Sequence, residues 1–83
     1  MIKIVECQYK SPKDISLVFS DGMQSSFNLE SYLHQHDGPL LRQLHNSIYA
    51  QKVFVEYGAL CWPNGLELSP QRLYELTQSS KVA

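Results

Sequence analysis

The sequence has little of what marks a specialised chain. Two cysteines in 83 residues, Cys7 and Cys61, are too few for a disulfide framework, so the expected compartment is a reducing one, the cytoplasm. No stretch approaches the ~18 consecutive apolar residues of a membrane span. The opening Met1-Ile2-Lys3-Ile4-Val5-Glu6 is too short and too charged for the apolar core of a secretory signal. Neither sign of charge dominates: 7 Lys+Arg stand against 8 Asp+Glu, a formal net charge of −1. Direct nucleic-acid binding and attachment to an anionic membrane, which need a basic footprint, are therefore not expected. Glycine-rich phosphate motifs and repeated sequence segments are also missing.

What is present is a folding composition. Residues of hydrophobic type make up 43% of the chain and charged ones only 18%, enough apolar surface for one core and too few charges for a disordered tail. Residues 1–78 are expected to form a single compact α+β domain. A polar tail over 79–83 has no anchor and is expected to fray.

Periodicity and turn chemistry predict the elements in β-β-β-α-β-β-α order, with a small antiparallel sheet of about five strands and two or three short helices. Ile2 to Tyr9 reads as a strand whose apolar phase changes, Ile2 and Ile4 on one face and Val5, Cys7 and Tyr9 on the other. It is either buried on both faces or bulged. Ile15, Leu17 and Phe19 alternate cleanly. After them, Ser20-Asp21-Gly22 fits a three-residue loop with Gly22 left-handed, which sets Leu17 opposite Ser25 and Ile15 opposite Phe27. Asn28 is placed to cap a helix with Leu29, Tyr32, Leu33 and His36 on one face, ending at Asp37-Gly38-Pro39. Leu40, Leu41, Leu44 and Ile48 continue at helical spacing. A second hairpin is predicted to turn at Gly58-Ala59, setting Tyr57 opposite Leu60 and Val55 opposite Trp62. Ser69-Pro70 opens the last helix, with Leu68 stapled to Leu73 and an end near Gln78.

The run Trp62-Pro63-Asn64-Gly65-Leu66-Glu67-Leu68-Ser69-Pro70-Gln71-Arg72-Leu73-Tyr74 resembles the signature Trp-Pro-Asn-Gly-x-Asp-Leu-x-Pro-x-x-Leu-Tyr of a family of small bacterial proteins, domain of unknown function 2442. Val18-Phe19-Ser20-Asp21-Gly22 and Val53-Phe54-Val55-Glu56-Tyr57-Gly58 resemble two further blocks of that family, in the same order. Glu67 stands where the family usually has Asp, and Ser69 and Gln71 stand at positions often acidic there. The resemblance implies a compact α+β fold and an intracellular bacterial setting. It also implies a gene arrangement similar to toxin–antitoxin pairs, with fusion to helix-turn-helix domains in some members.

Candidate sites compete with plain folding roles. Trp62, Pro63, Asn64 and Gly65 could form a recognition loop, yet each residue type has a structural reason to be there: a core-closing indole, a turn proline and an Asx-Gly pair for positive φ. His34, His36 and His45 with Asp37 invite a metal, but i and i+2 on a helix point about 200° apart, and no metal or cofactor is expected. Cys7 and Cys61 lie in strands without an activating helix end or glycine elbow. The carboxylates Asp14, Asp21, Glu30, Asp37, Glu67 and Glu75 form no spaced pair, so no catalytic residue is assigned.

The expected function is a non-enzymatic interaction or accessory module, an antitoxin-like partner of a neighbouring gene product. It would act on a protein partner or through self-association, a homodimer included. Its contacts would come from unguarded strand edges or from the apolar surface around Leu40, Leu41 and Leu44, with Tyr32, Tyr49 and Tyr74 as anchoring aromatics. The alternatives are a regulatory module that reaches DNA only through a helix-turn-helix partner, and a small metal-dependent hydrolase.

Overall fold

Strict alternation builds the first sheet. In the computed structural model, which describes residues 1–79, Ile15, Leu17 and Phe19 are buried while Asp14, Ser16 and Val18 between them are not. This strand, β2 (Asp14–Phe19), lies between β1 (Ile4–Ser11) and β3 (Gln24–Phe27) in an antiparallel sheet of order β1-β2-β3. The β2–β3 register is the one the loop chemistry predicts, with Leu17 opposite Ser25 and Ile15 opposite Phe27. Along β1 the phase change is a bulge: Ile4 pairs with Phe19 and Glu6 with Val18, so Val5 is the extra residue and stands 58% exposed. Val5 therefore does not share the face of Cys7 and Tyr9, which sit opposite core residues Leu17 and Ile15.

The remaining strands form a second sheet rather than an extension of the first. β4 (Phe54–Glu56), β5 (Ala59–Cys61) and β6 (Glu67–Leu68) pair antiparallel in that order, giving two three-stranded sheets in place of one sheet of about five strands. The sixth strand, only two residues long, is too short to carry a period of its own. Its register sets Leu60 opposite Leu68. The sheets meet where the Ile4 amide donates to the Gly58 carbonyl at 2.9 Å.

That junction also corrects the expected second hairpin. The turn is Tyr57-Gly58, with φ of +53° and +79°, the backbone of a type I′ turn. Val55 lies opposite Leu60, and Glu56 opposite Ala59. Gly58 at the second turn position presents its carbonyl to Ile4 and passes so close to Lys3 that a Cβ there would lie 2.9 Å from the Lys3 Cβ. Tyr57 is thereby excluded from the strand and stands 94% exposed.

The helices are α1 (Leu29–Gln35), α2 (Pro39–Arg42), α3 (Ser47–Ala50) and α4 (Pro70–Ser79), with a 3₁₀ turn at Gln43–His45 before α3. Asn28 caps α1 by accepting from the Ser31 amide at 2.9 Å, and the Ser69 hydroxyl accepts from the Arg72 amide at 3.2 Å. Leu44 and Ile48 do not share one helical face, because Asn46 breaks the run and caps α3 through the Ile48 amide. Leu44 joins the core at 2% exposure, which removes it from the expected apolar surface, and Ile48 points outward at 72%. Of the expected frayed tail, Ser79 closes α4 and 80–83 lie outside the described residues.

Both halves repeat one plan, a hairpin, a third strand, a polar cap and a helix: β1-β2-β3-α1, then β4-β5-β6-α4. The repetition is architectural, because the sequences of the halves share little beyond their Asx-Gly turns.

Candidate functional site

The chain from Trp62 to Leu66 is a type I turn followed by a glycine bulge. The Gly65 amide donates to the Trp62 carbonyl at 3.1 Å, the Trp62 amide donates to the Leu66 carbonyl at 3.0 Å, and Gly65 has φ +93°. The Asn64 side chain holds the turn from inside, its Oδ1 accepting from the Leu66 amide at 3.0 Å. Its Nδ2 donates outward to the Leu40 carbonyl at 3.2 Å and to Gln43 Oε1 at 2.8 Å. Trp62 is 1% exposed, and its indole N–H donates to the Ala50 carbonyl at 3.0 Å. Of this motif, Trp62 is thus inside the core, Asn64 ties the turn to α2 and the 3₁₀ turn, and Pro63 and Gly65 face solvent.

The other candidates are placed as follows. Tyr74 is half-buried, edge-on to Phe19 at a centroid distance of 5.0 Å, and its hydroxyl donates to Asp21 Oδ2 at 2.7 Å. That hydrogen bond, with a second from the Met23 amide, holds the Asp21 carboxyl below its ordinary range and raises the Tyr74 phenol. Tyr32 meets Phe27 edge-on at 5.6 Å and stacks on His36 at 4.1 Å. Tyr49 is half-buried with the Lys52 ammonium 5.7 Å from its ring centre. Leu40 is 39% exposed and Leu41 is half-buried against the core. The structure joins Asn64 to the Leu40 backbone and gives Tyr32 and Tyr74 aromatic partners of their own.

The most exposed aromatic is one that the sequence reading left out. Tyr57 sits at the tip of the second hairpin in a left-handed conformation that glycine, asparagine or aspartate adopts more readily. The available signal was a Tyr-Gly pair where hairpins favour Asn-Gly. Beside this hairpin runs an open groove lined by Phe54, Trp62, Pro63 and Leu66 and by the carboxylates Glu56 and Glu67. It links the hairpin to the Trp-Pro-Asn-Gly loop. Phe54 is 38% exposed there.

The titratable groups give little purchase for nucleophilic chemistry. Burial pushes the Cys7 thiol up, helped by the nearby Cys61 and Glu6, and burial pushes Cys61 up, helped by Glu67 and Glu56. A nucleophilic thiol needs the opposite shift. Asp37 is held low chiefly by its hydrogen bond to Arg42, which donates from Nε and Nη2 at 3.1 and 3.0 Å. Among the described residues no three His, Cys, Asp or Glu side chains converge as a metal-binding group, and no helix is long and apolar enough to cross a membrane.

The sequence profile of a family described as protein of unknown function (DUF2442) matches residues 4–79. No curated protein and no solved structure matches the chain. The chain belongs to the DUF2442 family.

Proposed function

We propose that this DUF2442 protein is a non-enzymatic interaction module that engages a protein partner or a second copy of itself through the second hairpin and its adjoining groove. The observation that carries the reading is Tyr57, 94% exposed with φ +53°. A bulky residue in the left-handed region costs roughly 1–2 kcal/mol, and Tyr57 recovers none of it by burial in the monomer. Strained backbone that presents an aromatic ring to solvent has its return in binding, and tyrosine is among the residues enriched at binding hot spots. Val5, also exposed, follows the residue whose amide donates to the Gly58 carbonyl. Glu56 and Glu67 in the groove lining favour a partner that sets a lysine or arginine beside an apolar side chain.

Light scattering over a hundredfold concentration range, alone and with the product of the adjacent gene, tests the reading. Self-association or a defined complex is expected, together with its loss in Tyr57→Asn, which keeps or raises the melting temperature because Asn-Gly suits the turn. A chain monomeric under all these conditions, or a complex indifferent to Tyr57→Asn and Glu56→Lys, overturns it.

A further inference from the structure

Asn64-Gly65 is the one Asn-Gly pair in the sequence, and such a pair has a reaction of its own. The glycine amide nitrogen attacks the asparagine side-chain carbonyl carbon, Cγ, forming a five-membered imide and releasing Nδ2 as ammonia. Water then opens the imide at either carbonyl, leaving aspartate or, with Cβ now in the main chain, isoaspartate. Glycine favours the route because it has no Cβ to hinder the approach of its backbone. In the folded chain the reacting groups are engaged elsewhere. The Gly65 amide donates to the Trp62 carbonyl at 3.1 Å, Asn64 Oδ1 accepts from the Leu66 amide at 3.0 Å, and Nδ2 donates to the Leu40 carbonyl at 3.2 Å and to Gln43 Oε1 at 2.8 Å. Gly65 is exposed, so water reaches the turn and hydrogen bonding, not burial, is what holds the reaction off.

The geometry points to Asn64 as a self-modification site that the closed turn protects and local opening of the turn exposes. Attack needs the Gly65 nitrogen turned from Trp62 and the Asn64 amide rotated off Leu66, Leu40 and Gln43, so these hydrogen bonds are lost before nitrogen and Cγ meet. The conversion then runs one way. Aspartate sets an oxygen where Nδ2 donated, against two acceptors, and isoaspartate adds a main-chain atom between Trp62 and the amide that closes on its carbonyl. A reacted turn closes less well than an unreacted one, so chemistry in the open state makes opening permanent. Asn28 and Asn46 also hold backbone amides, those of Ser31 and Ile48, but are followed by Leu29 and Ser47. They serve as internal references.

The test holds the full chain in mildly alkaline buffer, either native or unfolded in guanidinium chloride, and follows each asparagine by mass spectrometry after tryptic digestion. The peptide 53–72 contains Asn64 as its single asparagine, and chromatography separates its aspartate and isoaspartate forms. In the unfolded chain Asn64 is expected to convert well ahead of Asn28 and Asn46. In the native chain it is expected to slow by about tenfold or more, since only the open fraction reacts. Gln43→Ala removes one acceptor of the tether at an exposed position. It should speed the native reaction about fivefold, the equilibrium worth of one hydrogen bond, and leave the unfolded rate unchanged. The deamidated chain, once isolated, should melt below its parent. Equal native and unfolded rates, unfolded conversion no faster than at Asn28 and Asn46, a native rate indifferent to Gln43→Ala, or unchanged melting of the deamidated chain overturns the proposal. Should Gln43→Ala fold poorly, the wild-type rates and the melting of its product still decide.

Discussion

The loop from Phe19 to Met23 and the loop from Trp62 to Leu66 have the same backbone and different tethers. In each, the fourth residue is a left-handed glycine whose amide donates to the first carbonyl, and the first amide donates to the fifth carbonyl. In each, the Asx side chain accepts from the fifth amide, Asp21 from Met23 at 2.9 Å and Asn64 from Leu66 at 3.0 Å. Only the outward atom differs. Asp21 turns its second oxygen to a donor, the Tyr74 hydroxyl, and Asn64 turns its amino group to two acceptors, the Leu40 carbonyl and Gln43 Oε1. Asp and Asn are interchangeable for the turn and not for what the turn is tied to. The lesson is that local backbone and tertiary attachment are specified by different atoms of one side chain.

The largest expected break comes at the first residue of each loop. Trp62→Ala and Phe19→Ala each remove a fully buried ring and should cost about 3–5 kcal/mol in denaturant unfolding. Trp62→Ala is expected to be the worse of the two, because the Ala50 carbonyl also loses its donor. A smaller loss for Trp62→Ala than for Phe19→Ala would show that the indole hydrogen bond does not add to the packing.

Next come the glycines. Gly22→Ala and Gly65→Ala meet no neighbour within 4 Å, so both should cost the same roughly 1–2 kcal/mol of left-handed strain. Unequal losses would mean that the two turns are not energetic equivalents.

Exchanging the tethers sharpens the contrast. Asn64→Asp sets a carboxylate against the Leu40 carbonyl and Gln43 Oε1 and should cost about 1–2 kcal/mol at neutral pH. Those two acceptors raise the folded-state pKa of the new carboxyl. The loss should therefore shrink as pH falls through that raised value and the group regains a proton to donate. Equilibrium unfolding at neutral and acid pH reads the difference, and a loss independent of pH would refute the account.

Tyr74→Phe is expected to have the smallest effect, since the edge contact with Phe19 remains and only the hydroxyl goes. Asp21 has a lowered carboxyl pKa in the folded protein. Its contribution is thus present above the ordinary carboxylate range and fades as pH drops through the folded value. The melting-temperature gap between wild type and Tyr74→Phe should close on the acid side, and a gap that widens there would reverse the assignment.

These cases also show what sequence reasoning reaches. The Asp21-Gly22 loop and its register were legible because turn length and strand alternation agree on one answer. So were the Asn28 and Ser69 caps, which depend on neighbours three residues away. The second hairpin was misregistered because Gly58 is demanded by a strand more than fifty residues earlier, through Ile4 and Lys3. No local pattern carries that demand. Leu44 and Ile48 had helical spacing, but Asn46 ended one segment and began another. Tyr57 was illegible for a related reason. Exposure at a strained turn is a property of the assembled chain.

The tether from Tyr74 to Asp21 has a consequence for how the chain is made. During synthesis β1, β2 and β3 leave the ribosome well before α4, which packs against β3 and brings the tyrosine that reaches back across 53 residues. Until then the nascent first sheet has neither its covering helix nor its last ring contact. Contacts of such long sequence separation form late and slow the final step. A transcript cut short before Pro70 would release a sheet with its β3 side bare, a species more prone to aggregate than to persist.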